Sequence, residues 1–194
     1  SVPDVKQLFN ERTKLLAIAH VVNSTGVINP IKDLIDEAHK NRTYVLIDGA
    51  QAVQHKSVNV TDLDCDFYAF SGHKMFAETG IGILYGKKEV LEKMPPYQYG
   101  GDMIKTVTME ESVFEELPLK FEAGTANYVG AFSTAKSIDY LNEIGLENIE
   151  EHEKELLNYA TEKLENIEGL KIYGKSENKI SAISFLLEGI HQYD

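Results

Sequence analysis

Short apolar runs separated by stretches with helical apolar spacing constrain this chain most, because that alternation builds parallel strands joined by crossover helices. Residues 15–22, Leu-Leu-Ala-Ile-Ala-His-Val-Val, form such a run at strand length. Asn29-Pro30 then punctuates the chain before a helix expected over residues 31–40, where Ile31, Leu34, Ile35 and Ala38 share one face. Further strands are expected at residues 44–47, 66–70 and 81–85. The fold class is therefore α/β, with a mostly parallel sheet whose ligands bind beyond the carboxyl ends of the strands. The first places to look for chemistry are Asn23 after the first strand, Asp48-Gly49-Ala50-Gln51 after the second and Ser71-Gly72-His73-Lys74 after the third.

Downstream, the pattern predicts a short helix over residues 87–94, a loop around Pro95-Pro96 and Gly100-Gly101, and a polar connection reaching Phe121. A long helix over residues 129–142 is broken by Gly145 before a charge-rich helix over 146–165. Strands at 170–173 and 180–187 close the chain, and there is no internal repeat or low-complexity stretch.

A lysine and an acid, each at the end of its own buried strand, are the two protein groups a pyridoxal phosphate enzyme needs most. The lysine amine bonds the cofactor aldehyde as a Schiff base, and the carboxylate keeps the pyridine nitrogen protonated. Each residue also has an ordinary structural reading. A strand-end Lys74 is solvated, Asp48 caps the next helix, Ser71 and Asn23 form turns, and His73 is satisfied by a backbone carbonyl. Gly80-Ile81-Gly82 precedes a strand instead of opening a helix, so it is read as tight packing and not as a dinucleotide loop. His20, inside an apolar run, reads as a satisfied core or supporting residue. The six histidines lack metal-ligand spacing, and no metal is expected. Cys65 lies between Asp64 and Asp66, whose charges disfavour a thiolate.

The 194 residues suffice for one domain or for a large piece of a two-domain protein. A formal net charge of -12 opposes non-specific attraction to nucleic acid or an anionic membrane, so neither is an expected partner. The single cysteine excludes an intramolecular disulfide, and the absence of a signal segment or spanning apolar stretch gives a cytoplasmic expectation.

Six sequence words occur in one order: His20-Val21-Val22-Asn23, Val45-Leu46-Ile47-Asp48-Gly49-Ala50-Gln51-Ala52, Asp64-Cys65-Asp66-Phe67-Tyr68, Phe70-Ser71-Gly72-His73-Lys74, Thr79-Gly80-Ile81-Gly82-Ile83-Leu84-Tyr85 and Phe121-Glu122-Ala123-Gly124-Thr125. In this the chain resembles the cysteine desulfurases of the class V aminotransferase group, in particular the Suf-type branch. The resemblance implies a fold-type I pyridoxal phosphate transferase, with residues 1–142 in the cofactor-binding large domain and 143–194 beginning a small C-terminal α+β domain. It implies covalent attachment at Lys74, a pyridinium partner in Asp48, and Gln51 over the phenolic oxygen. Ser71 and His73 would contact the phosphate, and Asn23 the substrate carboxylate or the cofactor. Thr125 would donate to the phosphate of a neighbouring subunit, which implies a homodimer.

The implied reaction converts L-cysteine to L-alanine and leaves sulfur as an enzyme persulfide, for a sulfur-acceptor protein of the Suf system and iron–sulfur cluster assembly. The family's nucleophilic cysteine and carboxylate-clamping arginine would fall beyond Asp194, and its ring-stacking histidine and a threonine-containing phosphate loop before Ser1. The chain is accordingly expected to be an inactive fragment. Ala77-Glu78 and Ala126 depart from the family's usual Gly-Pro and Pro. Another class V enzyme, such as a selenocysteine lyase or an epimerase, shares the lysine and acid, and a non-catalytic module is the third reading.

Overall fold

Three strands run side by side in one direction: β1 (Leu15–Ala19), β2 (Tyr44–Asp48) and β3 (Phe67–Ser71), with β2 in the middle. The structure, a computed structural model, describes residues 2–193. A fourth strand, β4 (Gly82–Gly86), pairs antiparallel to β3, with Ser71 opposite Gly82. The expected mostly parallel sheet is therefore a mixed one whose antiparallel member lies at the edge. The strand expected over residues 15–22 stops at Ala19, because the backbone after His20 turns back and Val21 bridges Ile28.

A short helix, α1 (Val2–Lys6), precedes β1, and α2 (Ile31–Lys40) connects β1 to β2 with the bounds its periodicity predicts. Ile31, Leu34, Ile35 and Ala38 are all buried. Ile31, Ile35 and Ala38 pack with Val45, Ile47, Cys65 and Tyr68 into one core, against which Leu16, Ile18 and Phe70 rest. Each such aliphatic side chain contributes about 1.5–3 kcal/mol on full burial. A single turn, α3 (Val60–Leu63), is capped by Asn59, whose side chain accepts from the Thr61 and Asp62 amides, and leads into β3.

Beyond β4 come α4 (Lys88–Leu91) and a hairpin of β5 (Ile104–Val107) and β6 (Ser112–Phe114), in the stretch read from sequence as a polar connection. Two long helices follow, α5 (Tyr128–Ile144) and α6 (Leu146–Glu165), separated at Gly145 with φ +87°. The chain closes on the ribbon of β7 (Leu170–Tyr173) and β8 (Ser184–Leu187), the latter starting four residues later than expected. Lys179, before β8, bridges to Val27, which ties this ribbon to the loop after β1.

Gly49, one residue past β2, is the position where the sheet's end depends on a missing side chain. A Cβ there would overlap the ring of Tyr68, which is itself almost fully buried. Gly49→Ala should destabilise the chain by about 1–3 kcal/mol through overpacking. Urea unfolding checks this, and the loss should shrink in the Gly49→Ala/Tyr68→Leu double variant.

Candidate active site

The carboxyl ends of β1 and β2 lie level, β3 runs two residues further to Ser71, and the turns that leave the three strands carry most of the candidate residues. Asp48 ends β2 opposite Ala19 on one side and Ala69 on the other. Its carbonyl accepts from the His20 amide at 2.8 Å, and the Gly49 amide donates to the Ala69 carbonyl at 2.7 Å. Residues 49–56 then wind through successive turns instead of a regular helix.

The Asp48 side chain is exposed, and its Oδ1 accepts from the Ala50 amide at 3.0 Å. Among the described residues no protein group meets Oδ2. The turn-forming role and an open carboxylate oxygen thus coexist. Gln51, on the same turn, donates through Nε2 to Asn23 Oδ1, and Gln54 Nε2 donates to Gln51 Oε1 at 3.3 Å. Asp48, Gln51 and Asn23 are therefore brought together from the ends of β1 and β2.

Ser71 ends β3, and Gly72 to Met75 form one 3-10 turn that carries His73 and Lys74. The turn is tied down by its backbone: the Gly72 amide donates to the Ile81 carbonyl at 2.9 Å and the Ala77 amide to the Gly72 carbonyl at 3.1 Å. A Cβ on Gly72 would approach Ile81 Cγ2 to 2.7 Å, so glycine permits the close return of β4. His73 is exposed and Lys74 half-buried, and no described residue offers either side chain a hydrogen bond or ion pair. The backbone holds the turn while its polar side chains stay uncommitted.

Gly80, expected to mark tight packing, has nothing within 4 Å of a built Cβ and instead takes φ +83°, a turn conformation that favours glycine. Its carbonyl accepts from Asn127 Nδ2 at 3.3 Å, while Asn127 Oδ1 caps α5 by accepting from the Gly130 amide at 2.9 Å. Thr125, two residues before that cap, is exposed, and no described contact joins it to Lys74.

Two residues behind the site were not singled out for a role by sequence reasoning. Tyr68 crosses from β3 to reach His20, with its hydroxyl 2.9 Å from His20 Nδ1 and the rings edge-on at 6.1 Å. Burial first, and the Lys56 charge second, push the His20 imidazole down to about 4. Burial likewise pushes the Tyr68 phenol up, so both partners are neutral at neutral pH. His20 is thus a satisfied supporting residue, as its apolar setting suggests. Gln54 was legible only as a polar residue three positions after Gln51.

Cys65 is fully buried in the core beneath the sheet, and burial, with smaller effects from Asp66 and Asp64, pushes its thiol up to about 11. That environment suits a packing residue and not a nucleophile. Among the described residues, no group of three or more His, Cys, Asp or Glu is placed to hold a metal ion, and no helix is long and apolar enough to cross a membrane.

The family described as Aminotransferase class-V matches residues 1–194. This chain belongs to that family. It is 46% identical over 193 residues to a probable cysteine desulfurase of Halalkalibacterium halodurans, covering 100% of this chain and 47% of that protein. In structure it is similar to the cysteine desulfurase CsdA of Escherichia coli, solved as an S-sulfonic acid, with a TM-score of 0.95 and 34% identity over 100% of this chain and 48% of that one. A more distant fold relative, C-DES, at 20% identity and TM-score 0.84 over 97% of this chain and 51% of its own, was solved with glycine covalently linked to its PLP cofactor. The chain spans about half the length of the curated relatives it matches. Among class V chains, then, this one carries its strand-end acid and its turn lysine on adjacent parallel strands.

The His20 environment makes stability pH-dependent. Below about pH 6.5 the unfolded imidazole takes up a proton that the folded ring refuses until about pH 4, so stability present above that window is lost as pH falls through it. His20→Asn should flatten this part of the profile. Denaturant unfolding across the window checks it, and an unchanged slope in the variant would remove His20 as the cause.

Proposed function

We propose that this chain supplies the lysine, the acid and the amide face of a pyridoxal phosphate site in a cysteine desulfurase acting on L-cysteine. One observation carries the reading: among the described residues Asp48 keeps an open carboxylate oxygen and Lys74 an unpaired amine, at the ends of neighbouring strands in a chain nearly half identical to a probable cysteine desulfurase. The donor set fits the cofactor. It offers an amine for an aldehyde, a carboxylate for a ring nitrogen, and hydroxyl, imidazole and amide groups for phosphate and phenolic oxygens. When bound, the cofactor supplies an electron sink for negative charge at the substrate alpha carbon.

The chain's own residues then have separable tasks. Lys74 Nζ is the point of covalent attachment, and no described residue holds it in an ion pair. Asp48 holds a proton at the pyridine nitrogen through a charge-assisted hydrogen bond, which is stronger than a neutral one. Gln51 and Asn23 offer amide donors to the phenolic oxygen and the substrate carboxylate. Ser71 and His73 bind phosphate, and Thr125 serves the phosphate of a second copy in a homodimer. His20 and Tyr68, neutral and bonded to one another, support the strand ends without exchanging protons with substrate.

The same reading divides the chain into a large-domain part, residues 1–142, and the beginning of a small domain, residues 143–194. Sulfur leaves as a persulfide on a cysteine other than Cys65, passes to a sulfur-acceptor protein of the Suf system and serves iron–sulfur cluster assembly in the cytoplasm. Cys65 is the only thiol in the sequence and is sealed in the core. This chain alone therefore provides attachment and electronics but no sulfur acceptor.

Borohydride reduction of the chain with pyridoxal phosphate, followed by peptide mapping, should place the label at Lys74. Even labelling of surface lysines would sink the assignment. Saturated with pyridoxal phosphate, the chain should release no sulfide from L-cysteine, and sulfide release abolished by Cys65→Ser would contradict this. In a cysteine desulfurase carrying this segment, Asp48→Asn should lower turnover by at least about tenfold, the equivalent of one charge-assisted hydrogen bond, with little change in unfolding midpoint. Unchanged turnover would leave Asp48 a turn residue only.

A further inference from the structure

Three side-chain amides stand in single file from the interior to the ligand-binding end of the sheet. Gln54 is buried at 8% exposure, Gln51 is half-buried and Asn23 is exposed. Gln54 Nε2 donates to Gln51 Oε1 at 3.3 Å, and Gln51 Nε2 donates to Asn23 Oδ1. Each amide gives at one end and accepts at the other, so a file of this kind has only two polarities. In the observed polarity the inner terminus is Gln54 Oε1, buried without a partner, and the outer terminus is Asn23 Nδ2. The opposite polarity would bury the Gln54 amino group with both of its N–H donors unmet and would turn the Asn23 carbonyl outward.

The inner terminus decides between them, because water can satisfy the outer one either way. A buried carbonyl left short of a donor is tolerated better than a buried N–H left without an acceptor, and reversal would exchange the one unmet oxygen for a second unmet N–H beside the one that Gln54 Nε2 already carries. The outer residues inherit the choice. With the file in this polarity, Asn23 Nδ2 keeps both of its N–H groups, and Gln51 Nε2 one of its two, for a ligand. Three donors and no carbonyl then point from the file toward the site.

We propose that Gln54 is a positioning residue that sets the polarity of the Gln54, Gln51 and Asn23 file, so that the file presents amide N–H groups to an anionic oxygen such as a carboxylate or phenolate. The identity of that anion rests on the pyridoxal phosphate reading above, whereas the polarity is a property of the chain itself. Reversal would set a carbonyl oxygen where a donor now stands and repel the same ligand.

The test is nuclear magnetic resonance of the side-chain amides of Asn23 and Gln51 in the 194-residue chain, without cofactor. In Gln54→Glu the introduced carboxyl can donate while protonated and only accept once ionised. As pH rises through its titration, the Gln51 amino group should turn inward and the Asn23 amino group should become a donor to Gln51. The Asn23 amide protons should then shift and exchange about tenfold more slowly, as one net hydrogen bond implies, while at low pH both amides match the wild type. Gln54→Met keeps the volume and removes both ends of the preference, so the Gln51 and Asn23 amide signals should lose their wild-type positions at every pH. If ionisation unfolds Gln54→Glu, the methionine variant decides alone. Wild-type amide signals throughout in Gln54→Met, or no pH response in folded Gln54→Glu, would overturn the proposal. Labelling of Lys74 in the wild type reads the cofactor assignment separately: shifted amides with an unlabelled Lys74 would keep the polarity and remove the cofactor site.

Discussion

The crossing of the Tyr68 side chain over Gly49 holds the site end of the sheet in register. Because position 49 has no Cβ, the phenol lies against the backbone there and extends from β3 across β2 to His20, just past the end of β1. One side chain thereby spans the ends of three strands. The backbone continues the same register, with the His20 amide on the Asp48 carbonyl and the Gly49 amide on the Ala69 carbonyl. Asp48 leaves its strand at a level set by both neighbours, and the turn bearing Lys74 starts two residues further along β3. Burial keeps Tyr68 protonated and His20 unprotonated, so the hydrogen bond survives without a charge that the interior would have to solvate.

The opposite end of the strands is built in the reverse manner. Asp66, buried just before β3, accepts from the Val45 amide at 2.7 Å and pairs with His39 Nε2 at 2.9 Å through the same oxygen, while Lys87 reaches its other oxygen at 3.5 Å. Asp64 joins the group through Lys87 and through His39 at 3.5 Å, and the Lys87 hydrogen bond first of all holds its carboxyl below the usual range. Asp66, Asp64, His39 and Lys87 thus partner one another, whereas at the other end Asp48 Oδ2, Lys74 Nζ and the Asn23 amino group have no partner among the described residues. The sheet thus has a closed charge network at one end and uncommitted polar groups at the other.

Periodicity in the sequence was enough to read the elements whose faces are strongly sided. The helices over Ile31–Lys40 and Leu146–Glu165 have the bounds read from apolar spacing and from the break at Gly145. The hairpin of β5 and β6 escaped because seven strand residues, most of them exposed, carry no apolar alternation strong enough to stand out from loop. The antiparallel direction of β4 escaped because strand composition does not encode orientation, while the short connection through Gly72 and Gly80 does permit a reversal. At the site, Lys74 and Asp48 were readable from the words around them. The partnership of Tyr68 with His20, 48 positions apart, and the buried terminus at Gln54 depend on which side of the sheet each chain segment crosses, and no local pattern records that.

The turn of residues 49–56 is also held from its far side. His55 Nδ1 meets both carboxylate oxygens of Glu153, at 2.8 and 2.9 Å, in a partly buried contact between groups 98 positions apart. Glu153 belongs to α6, so the turn that carries Gln51 and Gln54 is clamped between the β3 ring at Gly49 and a helix that begins after Gly145. This contact is shielded on both partners and bears on backbone only four residues from Gln51. The turn held in this way places Gln51 and Gln54, and Asn23 meets them from the loop after β1. Rotating the amides needs no backbone movement, and it exchanges donor for acceptor at Asn23, the outer end of the file.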